Sequence, residues 1–112
     1  MDLAELRRRV GAILEEEERD PVDWSQVERL TDELYSSLAQ QPDTVVPELV
    51  DHFLDDADIR AKAKNAGYAR RQREDVRHFV QTGEYVDSTP LPRWTCLLAV
   101  ALLVALLLWI FL

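Results

Sequence analysis

The final nineteen residues, Trp94 to Leu112, constrain this chain most. They read WTCLLAVALLVALLLWIFL, with no charge, no proline and no glycine. A helix of that length spans about 28 Å at 1.5 Å per residue, close to the ~30 Å hydrocarbon core of a bilayer. A helix satisfies its own backbone hydrogen bonds, as lipid requires. A buried core helix apolar on all sides would need a domain able to surround it. The mostly polar residues upstream are too few to do so. The stretch therefore predicts a C-terminal transmembrane anchor, and the chain a tail-anchored, single-pass protein.

The rest of the chain is a different polymer. The net charge of −8 is unevenly placed. Met1 to Asp58 carry 17 acidic and 5 basic residues, whereas Ile59 to Arg93 carry 4 acidic and 8 basic. The acidic half would repel nucleic-acid phosphates, so no nucleic acid is expected as partner. One cysteine, Cys96, lies in the apolar stretch, so no disulfide within the chain and no zinc cluster is expected. The N-terminus, interrupted by acids, does not read as a signal peptide. Arginine outnumbers lysine eleven to two, a bias that points to a GC-rich bacterial genome.

Apolar residues upstream recur at helical spacing, which predicts an all-α domain of three to four helices over residues 1–82. The first helix covers residues 2–19, with Leu3, Leu6, Val10, Ile13 and Leu14 on one face. Asp20-Pro21 ends it. The second starts at Asp23, whose capping box with Gln26 and staple of Val22 with Val27 mark an N-terminus. Trp24, Val27, Leu30, Leu34, Tyr35 and Leu38 form its stripe, and Pro42 stops it. Asp43 or Thr44 caps the third, with Pro47 in its first turn and Val46, Leu49, Val50 and Phe53 facing inward. Asp55 reads as a new cap after a bend at residues 54–56, followed by a fourth helix to about Thr82 that Asn65 and Gly67 can interrupt, with Gly83 at its C-terminal end. Residues 83–93, containing Pro90 and Pro92, read as a juxtamembrane linker, and 94–112 as the anchor. The shared core is expected from Leu6, Val10, Ile13, Trp24, Val27, Leu34, Leu49, Phe53, Val76 and Phe79.

No arrangement of nucleophile, base or metal ligands suggests an enzyme or a small-molecule substrate. Glu48 precedes His52 by four residues and Glu74 precedes His78 by four, which places each pair on one helix face. Di-iron bundles use a spacing of three with further glutamates, and neither cofactor nor metal is expected. Arg7 to Arg9 read as a solvated helix face or a docking patch, and Arg60 to Arg77 as a solvated face or as contact with anionic lipid or an acidic partner.

Function is then expected in contact. The acidic runs Glu15, Glu16, Glu17 and Glu18, and Asp51, Asp55, Asp56 and Asp58, are the candidate partner-binding residues. Arg93, Trp94 and Trp109 are the candidate membrane-interface residues. Ala101 and Ala105, four apart, are a candidate helix-packing pair. The expected partners are the lipid bilayer and a protein, either a membrane complex or a basic cytosolic protein. With basic residues only before the anchor, the N-terminal domain is expected in the cytosol, at a bacterial inner membrane. Two functions fit: an accessory or adaptor subunit presenting an acidic helical domain, or a membrane-bound regulator that sequesters a cytosolic partner in the manner of anti-sigma factors.

Overall fold

A computed structural model describes residues 1–85 and 93–112, with the side chains of the last helix described from Leu97 onward. The elements are α1 (Leu3–Glu17), α2 (Trp24–Gln40), α3 (Glu48–Asp55), α4 (Ala57–Arg60), a 3-10 turn (Ala63–Asn65), α5 (Ala66–Thr82) and α6 (Arg93–Phe111). The protein is all-α; no strand occurs among the described residues.

Sequence signals set several helix ends. The Asp2 carboxylate accepts from the Glu5 N–H at the start of α1, and the Asp23 carboxylate from the Gln26 N–H at the start of α2. Each satisfies a donor with no partner inside the helix. Gly83 ends α5 at φ 75°, a left-handed conformation open to glycine at little cost.

α1 lies at the centre, packed on α2 and on α5, and α5 also packs on α3 and α4. The core contains Leu6, Val10, Ile13 and Leu14 of α1, Val27 and Leu34 of α2, Val50, Phe53 and Leu54 of α3, and Val76 and Phe79 of α5. Trp24 and Leu49 are half-buried against its edge rather than inside it. At Gly11 α1 and α5 approach closely: a Cβ there would sit 3.1 Å from Val80 Cγ1. The Arg7 guanidinium closes the same contact by donating twice to the Val80 carbonyl, at 3.0 and 2.8 Å, near the C-terminal end of α5. Arg9 donates to the Ser37 hydroxyl of α2 at 2.7 Å. Two of the three consecutive arginines thus join helices rather than lie free in solvent.

Two helix boundaries depart from expectation. The third helix begins at Glu48, with Pro47 at the cap position in extended backbone and without a side-chain cap. Thr44 instead accepts from the Met1 ammonium at 3.0 Å. The expected fourth helix from Asp55 to Thr82 is three pieces, α4, the 3-10 turn and α5, with one of its two breaks at the Asn65 expected to interrupt it. Asp56, not Asp55, occupies the cap position of α4, and its carboxylate is engaged elsewhere. The break turns the chain so that Arg60 enters the interior, where it is 4% exposed.

In α6 every side chain from Leu97 to Leu112 is exposed. Among the described residues, no helix is long and apolar enough to cross a membrane. Of the expected linker 83–93, Gly83 caps α5 and Arg93 begins α6, and the part with Pro90 and Pro92 lies outside the described residues.

Candidate functional site

Two polar constructions organise the domain, one inside and one at the surface. The inner one centres on Arg60. Its Nε and Nη2 each donate at 2.8 Å to one oxygen of Glu17, a bidentate pair between side chains 1% and 0% exposed. Its Nη1 donates to the Phe53 carbonyl and, at 2.7 Å, to Gln72 Oε1. The guanidinium lies 3.9 Å over the Phe53 ring, and Arg73 adds a second cation 3.7 Å from Glu17. Burial of two charges is tolerated only when they are paired and their remaining hydrogen-bonding positions filled. That condition is met: no buried side-chain nitrogen or oxygen among the described residues lacks a partner.

This arrangement corrects the reading of the acidic run. Glu17 is an interior ligand of Arg60 and is not presented to a partner. Nor does Arg60 belong to a surface contacting lipid or protein. Of its neighbours, Glu15 and Glu18 are exposed, and Glu16 is half-buried and pairs with Arg19 at 3.4 Å. Glu18 pairs with Arg77 across the α1–α5 contact. Three cations of the basic stretch, Arg60, Arg73 and Arg77, are thus paired at the C-terminal end of α1. Lys62, Lys64, Arg70 and Arg71 remain exposed.

The outer construction is a groove between α2 and the α3–α4 corner. Trp24, Glu28, Thr31, Asp32 and Tyr35 form one face of α2, and Leu54, Asp55, Ala57, Asp58 and Ala61 face them across a hollow of about 440 Å³. The floor is apolar: Val27 and Leu54 are buried, and Trp24 packs on the core beside them. The hydroxyl of Thr31 is satisfied within its own helix by the Val27 carbonyl, at 2.8 Å. Four carboxylates, Glu28, Asp32, Asp55 and Asp58, stand around the hollow, all exposed, and among the described residues no Lys, Arg or His lines it. The Tyr35 phenol donates to Asp55 and braces the two sides. Burial, then this bond, pushes the Tyr35 phenol above its ordinary range.

Asp56 sits on the other side of the corner. Its carboxylate accepts from the Tyr68 phenol and, at 3.0 Å, from the Gln72 amide. The Tyr68 bond in particular holds its carboxyl below the usual range. Asp51 is exposed on α3. The two acidic runs therefore do not form one surface. Only Asp55 and Asp58 reach the groove, where they meet Glu28 and Asp32, which sequence reasoning had not singled out. Their spacing from Trp24 by four and eight residues was the available signal.

His52 lies 3.4 Å from Glu48, and His78 lies 3.5 Å from Glu84. Among the described residues no group of three or more His, Cys, Asp or Glu side chains is placed to hold a metal ion. In α6, Ala101, Ala105 and Trp109 are exposed, and the side chains of Arg93 and Trp94 lie outside the described residues.

Comparison with protein families, with curated proteins and with solved structures finds no match.

Proposed function

We propose that this chain is a non-catalytic, single-pass membrane protein whose helical domain acts as an adaptor or accessory subunit. The domain presents an acidic surface to a protein partner, and α6 holds it at the bilayer. The observation that supports this reading most is the exposure of α6: every side chain from Leu97 to Leu112 is apolar and open. In water such a surface is unfavourable by about 25 cal/mol per Å² of apolar area, and lipid removes that cost. The described core of the domain is built from residues of α1, α2, α3 and α5.

Length decides how α6 can serve. From Leu97 to Phe111 it extends about 22 Å, short of a hydrocarbon core of about 30 Å. With its first turn, Arg93 to Cys96, the nineteen-residue helix reaches about 28 Å. The span therefore uses the whole of α6, with Arg93 and Trp94 at one interface and Trp109 near the other. Arg93 precedes the apolar run, so the positive-inside rule places the domain in the cytosol.

The partner is expected to bind the domain rather than the anchor. Leucine, valine and alanine offer little specificity in lipid, where tails are as apolar as the side chains. Exposed carboxylates discriminate by charge and act on encounter rate and selectivity. Co-purification from membranes solubilised in mild detergent tests this. A foreign anchor of equal length should leave association intact, and added salt should weaken it. Loss of association on exchanging the anchor, or no associated protein at all, contradicts the adaptor reading.

A further inference from the structure

The acidic groove has a shape as well as a charge, and together they specify what fits it. We infer that it receives a basic amphipathic segment of the partner: one apolar side chain seated on the floor, with lysine or arginine on either side. The inference rests on the adaptor reading and deepens it. The hollow of about 440 Å³ has the size of a site for one large side chain and its neighbours. Its floor of Val27, Leu54 and the edge of Trp24 offers apolar contact and no stranded polar group. An aliphatic or aromatic side chain seated there meets apolar atoms at the floor, with the carboxylates around it.

The rim fixes the flanking residues. Glu28 and Asp32 lie one turn apart on α2, and Asp58 stands opposite on α4. Cations before and after the apolar residue therefore meet a carboxylate on each wall. Trp24 adds an aromatic face that favours arginine. The same rim repels an acidic or uncharged apolar segment, the first by like charge and the second by leaving carboxylates partly desolvated without a partner. Tyr35, bonded to Asp55, holds the walls in register before anything binds. The exposed Lys62, Lys64, Arg70 and Arg71 make a second copy of this chain the competing occupant.

The test uses the full chain in nanodiscs of neutral lipid. The probe is a dye-labelled amphipathic peptide of leucine, phenylalanine, lysine and arginine, and its counterpart carries glutamate in place of the cations. Binding is read by fluorescence anisotropy, with empty discs subtracted. The cationic peptide should bind and the acidic one should not. Glu28→Gln, Asp32→Asn and Asp58→Asn together should weaken binding by about tenfold or more, the scale of close charge pairs across an interface. Removing distant carboxylates, by Glu15→Gln with Asp51→Asn, should change it by about twofold or less, as for exposed, screened charges. Equal losses in the two variants would mean diffuse attraction and overturn the inference. So would self-association of the full chain that the groove variant abolishes, because the occupant would then be a second copy. Either result leaves the adaptor reading standing, since that reading fails only in the co-purification assay.

Discussion

Arg60 and Glu17 form a buried pair that the domain tolerates losing only together. Glu17→Gln leaves a guanidinium in the interior without its counter-ion, which costs about 3–5 kcal/mol. Small domains have about 5–15 kcal/mol in total, so the denaturation midpoint should fall sharply. Glu17→Leu with Arg60→Met removes both charges and should cost less than either single change. A double variant less stable than both singles would contradict this account. Two other residues predict how stability depends on pH. The folded Asp56 carboxyl is held low by Tyr68, so its contribution is full above the unfolded value near 4 and is lost as pH falls. The folded Tyr35 phenol is raised, so its contribution is full below the unfolded value near 10 and is lost as pH rises through the folded one. Denaturation followed across pH should show both limbs, with Asp56→Asn flattening the acid limb and Tyr35→Phe the alkaline one. None of these partnerships was legible in the sequence. Glu17 and Arg60 are 43 positions apart, and each stands in a run of like charge that reads as solvated. Only the fold shows that one member of each run is buried.

At the scale of elements, the contact of α1 with α5 depends on two glycines and one arginine. Gly11 admits Val80 at a distance that a larger side chain cannot share. Gly11→Leu should force the helices apart and cost about 1–3 kcal/mol, read from thermal melting of the helical signal. Gly83→Ala places a Cβ in left-handed backbone and should cost about 1 kcal/mol without altering helix content. The ends of α2 and α5 were legible because local chemistry sets them: an aspartate with a glutamine three residues on, and a glycine after the last turn. The break between Asp55 and Ala66 was legible in part: a bend at residues 54–56 and an interruption at Asn65 or Gly67 were expected, the short α4 and the 3-10 turn were not. Ala57, Ala61, Ala63 and Ala66 favour a continuous helix, and a long-range contact overrides them. Arg60, the last residue of α4, reaches Glu17 where the helix stops. The groove followed the same rule. Trp24 and Val27 on its near side belong to the apolar stripe expected on α2, but its far side, Leu54 to Ala61, is set by the α3–α4 corner.

As a whole molecule the chain pairs a small domain that closes on itself with a helix that has nothing apolar left to hide behind. The core of the domain was largely visible in advance, since Leu6, Val10, Ile13, Val27, Leu34, Phe53, Val76 and Phe79 are all buried as their spacing implied. The proposed work of the molecule depends on α6 lying in lipid, because an adaptor without an anchor would not position its partner. Topology is checked by a cysteine introduced at the exposed Ser36: an impermeant thiol reagent should label it only after lysis of spheroplasts, and labelling of intact ones would reverse the orientation. The most direct measurement is extraction. The full chain, expressed in bacteria and recovered with the membrane fraction, is washed with alkaline carbonate and then with high salt, which remove proteins held by surface contact. The account predicts that it stays in the pellet, dissolves only in detergent, and is released to the supernatant when Leu103→Arg and Leu107→Arg place charges at mid-helix, where each costs about 2.5–3.5 kcal/mol. Recovery of the unaltered chain in the carbonate supernatant would contradict it.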